Sequence, residues 1–348
     1  MREISRVIYS CAARALAAVV AAGGLSAALA QQAQPSAAPP QPGAVAPGRN
    51  PERSVSEWLF RMHEASRLRS YIGTFVVLSN AGSMSSARIW HACEGDQQVE
   101  RVESLTGAPR SIYRRNDEVV TFLRDSKVAR SEKRESMGLF PDLLTGSENS
   151  IPEFYGARGV GSDRVAGHDA DVVHLAPKDN LRYGYRIWSE RKSGLVVKLQ
   201  TLDTEGHVLE QAAFSELQLD APVRMDRLAQ MMASTDGYRV EKADVVKTTA
   251  AAEGWTLRTT VAGFRAMSCY KRPSSENTMQ WIFSDGLASV SLFVEPFDRL
   301  RHTQEGLFAA VGATQTLTHR VQEWWVTAVG EVPPQTLKAF AMGLERRK

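Results

Sequence analysis

The feature that most constrains this chain is a long succession of short β-forming runs between Tyr71 and Leu219, joined by brief turns. Tyr71 to Ser79 is rich in β-branched and aromatic residues, Asn80-Ala81-Gly82-Ser83 turns it, and Ser86 to Cys93 returns. Glu94-Gly95-Asp96 turns again into Gln98 to Leu105, Thr106-Gly107-Ala108-Pro109 breaks that run, and Arg110 to Arg115 and Glu118 to Arg124 flank Asn116-Asp117. Asp171 to Ala176, Leu181 to Glu190, Leu195 to Leu202 and His207 to Leu219 repeat the pattern, separated by Arg191-Lys192-Ser193-Gly194 and Asp203-Thr204-Glu205-Gly206. Parallel neighbours need crossovers of about a dozen residues or more, and most of these links are shorter. The chain is therefore expected to build an antiparallel, strongly curved and partly closed sheet of about eight strands. Asp125 to Ser162 carries mixed charge, Pro141, Pro152 and little periodicity, and reads as a long functional loop or short helices over one face.

A helix precedes the sheet. Ser54-Val55-Ser56-Glu57 fits a capping box, and Val55, Trp58, Leu59, Met62, Ala65 and Ser66 form one stripe at helical spacing, ending near Arg69. After the sheet, residues 222–246 read as a linker with a short helical pattern at Met225, Leu228, Met231 and Met232. Residues 247–348 read as a smaller α+β domain. There Gln280 to Ser284 and Leu287 to Glu295 flank the hairpin signal Asp285-Gly286. Arg320 to Val329 is another strand, and Leu337, Phe340, Ala341 and Leu344 stripe a closing helix after Pro333-Pro334. The fold class is thus α+β, with a large unit over 53–221 and a small one over 247–348.

Residues 1–30 have the form of a secretory leader: Arg2 and Arg6, a short uncharged run from Ala15 to Leu25, and the small-x-small site Ala28-Leu29-Ala30. The run falls short of the roughly 20 apolar residues that span a bilayer, and Gly23-Gly24 interrupts it. Cleavage and a periplasmic location are expected. Residues 31–52, rich in Gln, Pro, Ala and Gly, read as a flexible linker. The leader carries Arg2, Arg6 and Arg14 against Glu3, so its removal lowers the formal charge from +3 to +1 and argues against nucleic acid as a partner. Cys93 and Cys269 remain, either as free thiols or as a bridge between the two units.

A search for chemistry finds no H-E-x-x-H, no Cys-x-x-Cys, no phosphate loop and no G-x-S-x-G elbow. No catalytic residue, metal site or cofactor is expected. Gly156-Ala157-Arg158-Gly159-Val160-Gly161 reads as a mobile loop, and Asp169-Ala170-Asp171 as a solvated entry to a strand. Two stretches stand out as partner or ligand sites. Leu181 to Trp188 alternates, with Leu181, Tyr183, Tyr185 and Ile187 on one face and Arg182, Arg186 and Trp188 on the other. That pattern places aromatics beside an anion-binding surface, or core residues beneath solvated arginines. Arg114 and Arg115, at the Asn116-Asp117 turn, either meet an acidic peptide or phosphate or pair with Asp117 and Glu118. Of Trp324-Trp325, one indole is expected in the core and the other exposed or at a domain interface.

Taken in order from about residue 55 to the end, several blocks resemble the RseB/MucB family, periplasmic negative regulators of a sigma-E type envelope-stress factor. They are Trp58 to Met62, Tyr71 to Val76, Arg114 to Val120, Arg164 to Ala170, Pro177-Lys178-Asp179, Arg182 to Trp188, Thr201-Leu202-Asp203, Val208 to Gln211, Ser284 to Ser291 and Val329 to Pro334. Phe75-Val76-Val77 and Trp90-His91-Ala92 depart from the family pattern. The resemblance implies a half-open antiparallel β-barrel similar to the carriers LolA and LolB, an apolar cavity, and a docked smaller domain. It also implies binding to the periplasmic domain of a membrane-bound anti-sigma factor, shielding it from regulated proteolysis, and release by lipid or a lipopolysaccharide fragment. A lipid or lipoprotein carrier is the alternative on the same fold, and self-association is left open.

Overall fold

The computed structural model describes residues 53–95, 97–133, 150–242, 245–272, 278–308 and 311–347; the expected leader and linker lie outside them. Helix α1 (Val55–Leu68) starts as its sequence dictates. The Glu57 N–H donates to Ser54 Oγ at 3.2 Å, and the Ser54 N–H donates back to Glu57 Oε2 at 2.7 Å. Two of the four orphan donors of a helix start are thereby satisfied. Its buried residues are the six of the expected stripe.

The large lobe is one sheet of twelve strands, in the order β12-β6-β5-β4-β3-β2-β1-β11-β10-β9-β8-β7. These are β1 (Tyr71–Ser79), β2 (Met84–Glu94), β3 (Gln97–Ser104), β4 (Arg110–Arg115), β5 (Glu118–Leu123) and β6 (Val128–Lys133), then β7 (Tyr155–Val165), β8 (His168–Pro177), β9 (Gly184–Glu190), β10 (Val196–Leu202), β11 (Val208–Leu219) and β12 (Arg239–Lys242). Every pair is antiparallel except β12 on β6. The register shifts at Thr74/Phe75, Gly159/Gly161 and Val196/Lys198. Such bulges raise the local twist and bend the sheet. It remains open, with β7 and β12 at its two edges.

The two halves of the sheet are covered on opposite faces. On one face, Val55, Trp58, Leu59 and Met62 of α1 pack with Tyr155, Val173, Leu175, Tyr185 and Ile187. On the other, helix α3 (Met225–Ala233) sets Met232 against Tyr113, Val120, Phe122 and Ala129, and Leu228 against Ala92 and Val99. Residues 222–246 therefore supply a helix and an edge strand to the large lobe, where the sequence reads as a linker. The short helical pattern at Met225, Leu228, Met231 and Met232 is helix α3, while β12, at four residues, is too short to carry a periodic signal of its own.

The stretch from Asp125 to Ser162 also differs from expectation. It contains β6, a one-turn helix α2 (Ile151–Phe154) and most of β7, while 134–149 lie outside the described residues. The glycine-rich run 156–161 is strand, not loop. Its alternation is invisible in sequence because β7 is an edge strand exposed from Arg158 to Arg164, so neither face selects apolar residues.

The small lobe is a seven-stranded antiparallel sheet, β13-β15-β16-β17-β20-β19-β18, built on β13 (Val246–Lys247), β15 (Arg265–Arg272), β16 (Thr278–Ser284), β17 (Ser289–Pro296), β18 (Gly306–Leu307), β19 (Gln315–Val321) and β20 (Trp324–Gly330). A two-stranded ribbon, β14 (Trp255–Leu257) with β21 (Leu344–Arg346), flanks it. Helix α4 (Pro334–Gly343) buries Thr336, Leu337, Phe340 and Ala341. The single strand expected over Arg320 to Val329 is two, because Gln322 takes a positive φ of 55° and reverses the chain. Trp325 is buried and stacks on His302 at 4.7 Å, while Trp324 is half-buried, edge-on to Trp255 at 5.7 Å and beneath the Arg346 guanidinium. Cys93 and Cys269 are free thiols.

Candidate functional site

Where the two lobes meet, the chain between β8 and β9 reaches into the small lobe. Leu181 packs against the small-lobe core, the Thr336 hydroxyl donates to the Leu181 carbonyl at 2.7 Å, and the Gln315 amide donates to the Tyr183 hydroxyl at 3.1 Å. Arg182 is wholly buried there. Its Nε donates to Asp285 Oδ2 at 2.7 Å, its Nη1 pairs with Asp179, and its Nη2 reaches the Ala262 carbonyl. The guanidinium lies 4.3 Å from the Phe154 ring and 5.0 Å from the Phe264 ring. Asp285 sits in the β16–β17 turn, where its other oxygen accepts the backbone N–H groups of Leu287 (3.0 Å) and Ala288 (2.7 Å). The Tyr155 hydroxyl donates to it at 3.2 Å. Burial pushes the Asp285 carboxyl up from its ordinary value against the pull of these hydrogen bonds and Arg182. Breaking such a pair leaves an uncompensated buried charge, which typically costs about 3–5 kcal/mol.

Gly263 is required at this seam. It holds φ +79°, and a Cβ there would collide with Arg182 Nη2 and the Phe154 ring. Glu210 of β11 marks a second contact between the lobes. A Cβ on Gly312 would strike its carboxylate, and burial together with the charge of Glu331 raises its pKa to about 7.

On the face of β7–β9 away from α1 lies an open groove of about 420 Å³. Strand alternation sends Tyr185 and Ile187 toward α1 and turns Arg186 and Trp188 into the groove, beside Val172 and His174 of β8 and Arg158 and Val160 of β7. Trp188 is 6% exposed, and its indole N–H donates to Asp163 Oδ2 at 2.9 Å. His174 is held below the ordinary imidazole value, chiefly by burial and then by Arg186 and Arg158.

The structure divides the side chains singled out from sequence among three places. Arg182, Tyr183 and Tyr185 belong to the seam and the core beside it, so Arg182 is not on a solvated strand face; β9 itself begins only at Gly184. Arg186 and Trp188 line the groove. Arg114 and Arg115 lie on β4, six strands from β9, about 29 Å as measured along the bent sheet at ordinary strand spacing. They face opposite sides of the sheet. Arg114 stands opposite Glu100, and Arg115 stands opposite Glu118 and donates to Gln97 Oε1 at 3.2 Å. Sequence reasoning did not select Asp179, Asp285, Arg158 or His174. Asp285 carried a signal, but only as a turn former. Among the described residues no group of three or more His, Cys, Asp and Glu side chains is placed to hold a metal ion.

The sequence matches the MucB/RseB N-terminal domain over residues 54–232 and the MucB/RseB C-terminal domain over residues 249–345. It is 32% identical over 299 residues to the sigma factor AlgU regulatory protein MucB of Pseudomonas aeruginosa, covering 83% of this chain and 90% of that protein. It is 24% identical over 291 residues to the sigma-E factor regulatory protein RseB of Escherichia coli K12, covering 82% and 89%. A solved structure of MucB in complex with MucA(peri) superposes with a TM-score of 0.63 at 27% identity, over 84% of this chain and 99% of that one. MucB alone gives 0.60 at 26% identity, over 84% and 98%. On both of its domains, then, this chain belongs to the MucB/RseB family.

Proposed function

We propose that this chain is a regulatory binding protein of the bacterial envelope. It binds the periplasmic segment of a membrane-bound anti-sigma factor, shields that segment from regulated proteolysis, and so restrains an envelope-stress sigma factor. The observation that carries this reading is the match of both lobes, in order, to MucB, whose solved complex with MucA(peri) covers 99% of that MucB chain in the superposition. The leader-like start supports a periplasmic site of action, and among the described residues no helix is long and apolar enough to cross a membrane. The role asks for surfaces and a fixed relation between lobes, not for a reacting centre, and we assign no catalytic activity.

Lipid or a lipopolysaccharide fragment is the proposed releasing signal. Release needs only that the ligand bind the free state better than the partner-bound state, by as much as the loss of partner affinity. The test is titration calorimetry of the mature protein with the periplasmic segment of its anti-sigma factor, with and without lipopolysaccharide fragments. Saturable binding that the fragment weakens supports the reading. Fragment binding with no peptide binding would replace it with a carrier.

A further inference from the structure

Arg158, His174 and Arg186 stand side by side on β7, β8 and β9, in direct register on one face of the sheet. The two guanidiniums flank the imidazole from either side, two strands apart, and with burial they disfavour its protonated form. Several other arginines of the large lobe are matched: Arg69 with Asp220, Arg101 and Arg124 with Glu103, Arg130 with Glu241, Arg191 with Asp171. Among the described residues Arg158 and Arg186 have no carboxylate partner, and Arg186 donates only to the neutral Gln200 amide oxygen at 3.3 Å. The one carboxylate on the groove wall, Asp163, is already engaged by the Trp188 indole and by the Arg164 backbone N–H at 2.7 Å. Lys198 adds a further cation, its Nζ 4.3 Å from the Trp188 ring. Val160, Val172 and Trp188 give the same groove an apolar side.

We propose that this groove binds a phosphate monoester carried on an apolar body, with the phosphate over His174 between Arg158 and Arg186 and the apolar part along Val160, Val172 and Trp188. A phosphate monoester offers three oxygens and close to two negative charges to the pair of guanidiniums, where a carboxylate offers two oxygens and one charge. The site stands on the groove itself. It rests on the regulator reading only for the consequence, that filling it is how a ligand signals release.

The test uses the full mature chain and three probes: inorganic phosphate by calorimetry, phosphatidylcholine vesicles containing phosphatidic acid by co-sedimentation, and phosphatidylglycerol vesicles as an anionic diester control. Phosphatidic acid vesicles are expected to bind at least tenfold more tightly than phosphatidylglycerol vesicles. Arg158→Gln and Arg186→Gln should each weaken that binding roughly tenfold, as expected for loss of one charge-assisted hydrogen bond. Their circular dichroism and urea midpoints should stay near wild type. Equal binding of the two anionic lipids, or undiminished binding by folded variants, overturns the proposal. Inorganic phosphate binding without vesicle binding overturns its apolar half and leaves free phosphate as the ligand. Titration of the anti-sigma segment in parallel separates the two claims: lost peptide binding alone counts against the regulator reading, and lost vesicle binding alone against the groove.

Discussion

Arg182 and Arg186 lie four residues apart on one segment and look alike in sequence, yet they live in opposite surroundings. Arg182 is sealed between two lobes and meets Asp179, Asp285, a carbonyl and two aromatic rings. Arg186 is half-buried on a groove wall, next to His174, with no carboxylate among the described residues. The first is built to hold the two lobes together. The second carries charge that no carboxylate among the described residues neutralises. A buried arginine with a full set of partners is architecture, and an unmatched one beside other cations is a place for a ligand.

That contrast can be broken experimentally, beginning at the seam. Asp285→Ala removes the buried carboxylate from Arg182, leaving it only the part-exposed Asp179, and should cost up to about 3–5 kcal/mol in urea unfolding. The double variant Asp285→Leu with Arg182→Met should lose far less, since a buried pair replaced by apolar groups is often nearly neutral. A loss as large as that of Asp285→Ala would show that the hydrogen-bond frame, not the charge pair, holds the seam. Gly263→Ala adds a Cβ where φ is +79° and where Arg182 and Phe154 already sit; a cost of roughly 1–3 kcal/mol is expected from the same unfolding curve.

Glu210 gives the seam a pH dependence with a definite sign. Its folded pKa, about 7, lies above the ordinary carboxylate value of 4.5, so the folded state binds the proton more tightly than the unfolded chain. This contribution is therefore present below about pH 4.5 and is lost as pH rises toward and through 7. Comparing wild type with Glu210→Gln across that window should show the variant gaining on the order of 2 kcal/mol relative to wild type by pH 8. A constant difference at every pH would contradict the assignment. The smallest effect belongs to the groove. Arg186→Gln removes a half-buried cation that has no carboxylate partner among the described residues and should change stability by no more than roughly 0.5 kcal/mol, where the seam variants lose several.

Much of this architecture was legible before any coordinates. The capping box at Ser54 and Glu57, the six-residue stripe of α1 and the runs at β1 and β4 match the observed elements closely, because each is decided by neighbours within a few residues. The edge strands β7 and β12, and the short β6 between β12 and β5, were not legible. Edge strands are half free of the packing that imposes alternation, and β7 adds glycines and charges that read as loop. The site was harder still. Arg182 owes its role to Asp285, 103 residues further along the chain, and the row of Arg158, His174 and Arg186 exists only in the register of three strands. Local pattern flagged Arg182 and Arg186 together, and only long-range pairing separates them.

The central claim is tested most directly by the rate at which a protease cleaves the periplasmic segment of the anti-sigma factor, measured with and without saturating amounts of this chain. The account expects cleavage to slow at least tenfold, with protection falling away when lipopolysaccharide fragments are added. An unchanged cleavage rate in the presence of folded protein would contradict it.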